Sequence, residues 1–330
     1  PVERGTRGGD GVRQAGVLDV GCHSALLTVV RRRPGAVLEP VFSRKVRLRL
    51  HETLDHKGRL EKAGVRSVER AVAEAVAANP RTRGPEVFAF ATSVIRDAPN
   101  RDAIIASVAR ATGTRLRVLT GEEEARLAYV AAREWAGPAA GPLLVLDIGG
   151  GTLEIAAGTG DQPDSVLSLP LGARRITRDW LPGGTVPSAR RLAELQKYLH
   201  QYLEAVPDLP RAEPGGRVLA CSKTFEQLAR LAAARGKAPR ARRKLALPQL
   251  RVSIDLLAGS KPSRRGKLPG ISHHRAEQSL AGAMIAQALM KACGAKTVEI
   301  CPWSTREGLL LEHLGAPQPH TSDSRSRQAS

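Results

Sequence analysis

Aromatic side chains are scarce in this chain: four Phe, three Tyr and three Trp, 3% of 330 residues. Its cores must therefore be built from Val, Leu, Ile and Ala, and it has no interleaved aromatic set on which nucleic-acid bases could stack. Cysteines are few as well. Cys22, Cys221, Cys293 and Cys301 match no common zinc spacing and make no dense framework, so free thiols in a reducing cytosol are expected rather than disulfides. Long apolar runs are missing, and the first fifteen residues are polar and glycine-rich with no apolar segment, which predicts a cytoplasmic chain without membrane spans. Acidic residues are in deficit, 32 against 51 Lys and Arg, for a formal net charge of +19. That excess favours a polyanionic partner, although an Arg- and Ala-rich chain also arises from biased codon usage.

What the sequence does have is a repeated strand and turn. Residues 143–154 read Leu-Leu-Val-Leu-Asp147-Ile-Gly149-Gly150-Gly151-Thr152-Leu-Glu154, a buried strand that ends in a turn with bare backbone amides. Successive N–H groups without Cβ atoms suit a phosphate, and Asp147 could hold a divalent cation beside it. A glycine triplet alone equally describes a tight strand-to-strand turn. A second copy shifts the balance: Val17-Leu-Asp19-Val-Gly21 matches Val145-Leu-Asp147-Ile-Gly149 at a constant offset of 128 residues, with Ser24 opposite Thr152. Both copies continue into an apolar strand, a turn and another strand, Ala36 to Val41 (with Val46 to Leu50 a further strand) or Ser165 to Leu169. A duplicated strand-turn-strand unit predicts two similar α/β domains facing a shared cleft. The expected divisions are a disordered leader over 1–14, a first domain over 15–138, a second over 139–315 whose final helix packs back on the first, and a disordered tail over 316–330.

Between the copies, helix and strand alternate. An apolar stripe predicts a helix over 60–78, and Glu86 to Ala91 reads as a short strand. Thr92-Ser-Val-Ile-Arg96-Asp97 follows at its carboxyl end, where ligands of open α/β sheets collect. Arg96 is placed to meet an anion or to make a structural ion pair; Asp97 and Asn100 are assigned to turn and cap duty. Leu116 to Leu119 is a strand that feeds Thr120-Gly-Glu122-Glu123-Glu124-Ala-Arg126. Thr120 and Glu123 have capping-box spacing, Glu122 complements the helix dipole, and Glu124 is left without a local role. An acidic first turn with no chemistry explains the three acids equally well.

Further on, Arg174, Arg175 and Arg178 could serve a polyanion or form a solvated face. A helix is expected over 188–205. Lys223, in the turn Cys221-Ser222-Lys223-Thr224 between a strand and a helix, is phosphate-friendly or an ordinary first-turn lysine. Residues 235–267 carry eleven Lys or Arg and one acid, and are expected as a basic loop over the cleft or a solvated insertion. A helix is predicted over 271–292 with His273 and His274 at its start, and a last strand and helix follow.

The set Asp19-x-Gly21, Thr92-Ser-Val-Ile-Arg96-Asp97, Gly121-Glu-Glu-Glu124-Ala-Arg126 and Asp147-Ile-Gly-Gly-Gly151-Thr152, with Ser168-Leu-Pro-Leu-Gly172 and Ser222-Lys-Thr-Phe225, resembles the Ppx/GppA family of exopolyphosphatases and guanosine pentaphosphate phosphohydrolases, in its short two-domain actinobacterial form. The resemblance runs from about residue 16 to 315. It implies a duplicated actin-like, sugar-kinase-like (ribonuclease H-like) fold and Mg²⁺-dependent hydrolysis of a terminal phosphoanhydride in the interdomain cleft. Glu124 matches the general base and Arg96 the arginine after the Thr-Ser strand end. Asp147 and Glu154 are expected at the metal. Asp19, Gly21, Cys22, His23, Ser24, Gly149, Gly150, Gly151, Thr152 and Lys223 are expected around phosphate. Inorganic polyphosphate of short length is the first expected substrate and guanosine pentaphosphate the second. A weak alarmone-binding regulator, nucleotide regulation and a homodimer remain open, and nucleic-acid binding rests on charge alone. One departure stands out: the family's usual Ser-Asn after the first Asp-x-Gly is Cys22-His23 here, which leaves an altered phosphate loop or a structural histidine.

Overall fold

Arg13–Val20 (β1), buried from Ala15 to Leu18, Ser24–Arg32 (β2), whose residues largely alternate between buried and less buried, and the mostly exposed Glu39–Arg47 (β3) form an antiparallel meander. Val87–Ala91 (β4) and Arg117–Val118 (β5) then add in parallel, giving the order β3-β2-β1-β4-β5. The computed structural model describes residues 13–32, 38–78, 87–234 and 243–314. The second sheet is built from Leu143–Ile148 (β6), Leu153–Gly158 (β7), Ser165–Leu169 (β8), Arg217–Ala220 (β9), Lys244–Ala246 (β10) and Thr297–Ile300 (β11), in the order β10-β11-β9-β6-β7-β8. Strand for strand, β8-β7-β6-β9-β11 repeats β3-β2-β1-β4-β5, and β10 is an addition on the far edge.

The repeat holds to the residue. Asp19 pairs with Leu26 as Asp147 pairs with Glu154, and Val20 with Ala25 as Ile148 with Leu153. The 128-residue offset of the sequence is thus an offset of register.

The helices are Lys62–Ala77 (α1), Ser93–Arg96 (α2), Arg101–Thr112 (α3), Gly121–Ala136 (α4), Ala173–Trp180 (α5), Ala189–Glu204 (α6), Lys223–Ala234 (α7), Leu247–Ala258 (α8), Pro262–Arg265 (α9), Ser279–Ala292 (α10) and Thr305–Leu314 (α11). Behind the first sheet, α1 and α3 bury Val68, Val72, Ile104 and Val108 against Leu18, Val20 and Leu27. Behind the second, α5 to α8 and α10 close a larger aliphatic core around Leu144, Leu146 and Ile155.

The inner faces are filled differently. Ala125, Ala128, Tyr129 and Ala132 of α4 pack on Leu143, Val145 and Ala156 of the second sheet, while Leu127 of the same helix joins Leu310, Leu311 and Leu314 of α11 against Ala15 and Val17 of the first. The last helix therefore packs on the first sheet, and a helix from the first half packs on the second. A covalent boundary near residue 138 does not divide the packing.

Several local expectations change. The strands expected at Ala36 to Val41 and Val46 to Leu50 become one strand, β3, over Glu39–Arg47, with an irregularity opposite Val29 and Val30; residues 33–37 lie outside the described residues. The helix expected over 271–292 begins at Ser279, after a 3₁₀ turn at His273–Arg275. Asn100 stands at the N-cap position of α3, but its side chain makes no capping bond: its oxygen accepts from the Leu60 N–H at 3.0 Å and its amide donates to the Leu60 carbonyl at 2.9 Å, tying α3 to the start of α1. Arg13 and Gln14, placed in the leader, belong to β1. In the basic 235–267 segment, residues 243–267 form β10, α8 and α9 rather than a loop, and 235–242 lie outside the described residues, as do 1–12 and 315–330.

The α4–α11 contact is set by Gly308. A Cβ there would lie 2.0 Å from the Leu127 carbonyl oxygen and 2.7 Å from its carbon, both backbone atoms that cannot swing away. Gly308→Ala should therefore destabilise the chain by about 1–3 kcal/mol, read from the denaturant midpoint at unchanged m-value.

Candidate active site

The two turns face one cavity of about 260 Å³ between the sheets. In each copy the turn closes by the same hydrogen bond: the Gly21 N–H donates to the Ser24 carbonyl at 2.9 Å, and the Gly149 N–H to the Thr152 carbonyl at 2.9 Å. The first glycine amide of each loop is thus spent on the turn and is not bare.

The second loop is also anchored from behind. The amides of Gly172, Ala173, Arg174 and Arg175 donate to the carbonyls of Gly151, Gly149 and, from both arginines, Gly150, at 2.9–3.2 Å, so the loop caps α5. Its glycines have separate reasons. A Cβ at Gly151 would lie 2.9 Å from the Ser93 side chain of the first half, and one at Gly172 would lie 2.3 Å from the Gly151 backbone. At Gly150 and Gly21 nothing comes nearer than 3.6 Å. Protein packing demands glycine at 151 and 172, whereas at 150 and 21, on the cavity wall, a Cβ would make only ordinary van der Waals contacts.

Asp19, Gly21, Cys22, His23 and Ser24 line the cavity from the first half. Asp147, Gly149, Gly150, Thr152, Glu154 and Lys223 line it from the second, with Glu124 between. Gly151 and Arg96 do not. Arg96 lies behind Glu124: its guanidinium donates to the Glu124 carboxylate, to Thr152 Oγ1 at 3.2 Å, to the Leu119 carbonyl at 3.3 Å and to Asp97 at 3.2 Å. It joins the two halves and orients the glutamate rather than facing the cavity. Asp97 adds a second link, accepting from Arg175 at 3.3 Å, so it is an ion-pair residue and not a turn residue alone.

Capping chemistry sorts the three acids as their spacing predicts. Thr120 Oγ1 accepts from the Glu123 N–H and Glu123 accepts from the Thr120 N–H. Glu122 does not line the cavity, and Glu124, 9% exposed, turns inward.

Four carboxylates meet here, Glu124 and Glu154 buried and Asp19 and Asp147 half-buried, and desolvation dominates their titration. Glu124 is pushed from an ordinary 4.5 up to about 7 by desolvation, with Arg96 opposing and the charges of Asp147 and Asp19 adding. Asp19 is pushed up to about 6 by burial, against the pull of Arg306. Asp147 is raised by burial, moderated by Ser304, whose hydroxyl donates to it at 2.6 Å. Glu154 is raised well above the ordinary range by burial and by the charges of Glu124 and Asp147, although Ser168 Oγ donates to it at 3.0 Å.

The sequence pattern did not single out several residues at this site. Ser304 and Arg306 come from the start of α11 and reach the two loop aspartates, Arg306 at 3.9 Å from Asp19. Arg275 lines the cavity from the 3₁₀ turn beside the two histidines, and burial lowers its pKa. Nε of Arg174 is buried without a hydrogen-bond partner. Ser304, Arg306 and Arg275 carry no local motif, whereas Arg174 is one of the arginines expected to serve a polyanion. Lys223 is ion-paired to Glu226 on its own helix, and Arg178 to Asp179, so neither is a free cation.

Oxygen donors of this kind suit a hard divalent cation. Among the described residues no three carboxylates converge within 4.8 Å, so a cation here would rely on one or two carboxylates, water and a phosphate, as Mg²⁺ commonly does. His23 and Cys22 differ in kind: burial pulls the His23 pKa down to about 3 and pushes the Cys22 thiol up.

Comparison with known proteins agrees with this geometry. Exopolyphosphatase 1 of Mycobacterium leprae is 42% identical over 311 residues, covering 93% of this chain and 91% of the relative. Its counterpart in Mycobacterium tuberculosis is also 42% identical over 93% of the chain. A guanosine-5'-triphosphate,3'-diphosphate pyrophosphatase of Aeromonas hydrophila is 26% identical, covering 94% of this chain and 61% of that protein. The crystal structure of the Aquifex aeolicus Ppx/GppA family member superposes with a TM-score of 0.77 at 23% identity, over 92% of this chain and 98% of that one. That likeness concerns the fold, which is the duplicated actin-like α/β arrangement. A sequence model of the Ppx/GppA phosphatase family matches residues 28–316, and with two loops, one cleft and these relatives in agreement, the chain belongs to that family.

Proposed function

We propose that the chain is an exopolyphosphatase that hydrolyses the terminal phosphoanhydride of inorganic polyphosphate and releases orthophosphate. The observation that carries this reading is Glu124: a buried carboxyl pushed up to about 7, oriented by Arg96, in the same cavity as both loops. A base of that pKa takes a proton from water near neutrality. The 42% identity to exopolyphosphatases of other organisms, against 26% to a pyrophosphatase of guanosine pentaphosphate, supports polyphosphate as the substrate. A cavity of about 260 Å³ takes the end of a chain rather than its length, which suits removal of the terminal phosphate.

In this reading the terminal phosphate lies between the loops, against the wall at Gly150 and Gly21. Arg275, Arg306 and Arg174 balance its charge, and Glu124 orients the attacking water and accepts its proton as the phosphoanhydride breaks. Asp147 and Glu154 would hold Mg²⁺, whose charge would offset that of the phosphates. Asp97, Arg175 and Arg96 keep the two halves in register so that base and phosphate meet. No helix among the described residues is long and apolar enough to cross a membrane, and the cysteines are free, which supports a cytosolic site of action.

Glu124→Gln should retain substrate affinity and lose about 10²–10⁴-fold in turnover, measured as orthophosphate release with Mg²⁺ from short polyphosphate, long polyphosphate and guanosine pentaphosphate. Near-normal release by that variant would overturn the base assignment, and release from the guanine nucleotide alone would overturn the substrate.

A second test uses stability in chelator. Glu124 and Asp19 have folded-state values of about 7 and about 6, above their ordinary 4.5 and 3.8, so the folded chain holds extra protons in that interval. Their contribution is complete below about pH 4 and is lost as pH rises through 6 to 7. Unfolding free energy of the metal-free protein should therefore fall between about pH 4.5 and 7.5, and Glu124→Gln should flatten that fall by an amount on the order of 1–3 kcal/mol. An equal slope in both proteins would refute the assignment.

A further inference from the structure

The altered first loop has a donor set unlike anything else in the cleft. Cys22, His23 and His51 each offer one ligand atom, and the three atoms lie within 4.8 Å of one another. Backbone pairing holds them there: the Leu48 N–H donates to the His23 carbonyl at 2.8 Å and the Leu50 N–H to the Cys22 carbonyl at 3.0 Å, which fixes the 3₁₀ turn carrying His51 beside the loop.

We propose that Cys22, His23 and His51 form a binding site for a zinc-class ion, separate from the carboxylates that serve phosphate chemistry. Three observations support it. Cys22 Sγ stands 3.5 Å from His51 Nδ1, and roughly 3.5 Å is the separation that a tetrahedral centre with Zn–S near 2.3 Å and Zn–N near 2.05 Å requires. His23 Nε2 is buried and has no hydrogen-bond partner, an orphan that a metal would satisfy. One sulfur and two imidazoles select zinc over magnesium, which prefers oxygen. An S–H···N bond accounts for the first observation alone and leaves the orphan unexplained.

His274, its ring centroid 5.8 Å from that of His23, approaches from the second half of the chain. It could complete the coordination across the cleft, as could a phosphate oxygen. Binding would release the Cys22 thiol proton to solvent and form the metal–sulfur bond, with no change of oxidation state. Burial raises the Cys22 thiol, and the charges of Arg174 and Arg275 offset that only in part, so the metal itself would have to displace the proton.

The test titrates the chelator-stripped full chain with Co²⁺ in excess Mg²⁺, then with Zn²⁺. One equivalent of Co²⁺ should give near-ultraviolet thiolate-to-metal absorption, and Zn²⁺ should bleach it. Cys22→Ser should abolish the band, and His51→Gln should weaken Co²⁺ binding by at least about tenfold, with circular dichroism showing both variants folded. A band that persists in Cys22→Ser would assign the thiolate to Cys221 or Cys301 and overturn the proposal. So would Co²⁺ binding without a thiolate band, which is what the carboxylates alone would produce, or no binding at all. Because the readout is spectroscopic, failure here leaves the exopolyphosphatase reading untouched, and failure of that reading leaves this one standing.

Discussion

The cleft exists under one constraint: Asp19, Glu124, Asp147 and Glu154, two of them buried and two half-buried, are gathered where desolvation and mutual repulsion both oppose their ionisation. Almost everything around them limits that cost. Arg96 is committed to Glu124, Ser168 to Glu154, Ser304 to Asp147, and Arg306 stands at the edge of Asp19. The compensation is incomplete, and an incompletely neutralised carboxylate cluster is suited to receiving a cation and a polyanion together.

Duplication supplies the frame, and divergence supplies the chemistry. Both turns close with the same glycine-to-carbonyl bond and carry an aspartate two residues before it. At the positions where the second loop has Gly150, Gly151 and Glu154, the first has Cys22, His23 and Leu26. One loop is open backbone backed by a carboxylate. The other has gained sulfur and nitrogen donors and lost the acid. A symmetric scaffold thus presents two chemically distinct walls to whatever occupies the cavity.

Helices α4 and α11 hold the walls together. Helix α4 begins in the first half, carries Glu124, and buries its alanine face on the second sheet; α11 returns from the end of the chain to the first sheet and brings Ser304 and Arg306 to the loop aspartates. The Gly308 contact lets the two helices meet backbone to backbone, so the base and the loop contacts share one rigid layer. Arg96 adds a polar tie, touching Glu124 and Thr152 at once.

Local physics was legible in the sequence. The duplicated loops, the capping box that leaves Glu124 unassigned, the helices over α1, α3, α4 and α6, and the order of strands all follow from periodicity, turn chemistry and spacing, which act within a few residues. The family resemblance extended that reading to the cleft. Tertiary structure alone decided the rest. Asn100 looks like a cap and is a tether because Leu60 happens to lie beside it; Arg96 looks like an anion contact and is turned to the back of Glu124 by Thr152 from the other half. Arg275, Ser304 and Arg306 carry no local pattern, and His51 meets Cys22 only through the pairing at Leu48 and Leu50. Local sequence determines which backbone forms and which polar groups remain unused. Which of those groups meet, and how far burial moves their protons, depends on chain segments brought together from 29 residues apart, as for Cys22 and His51, to 157, as for Asp147 and Ser304.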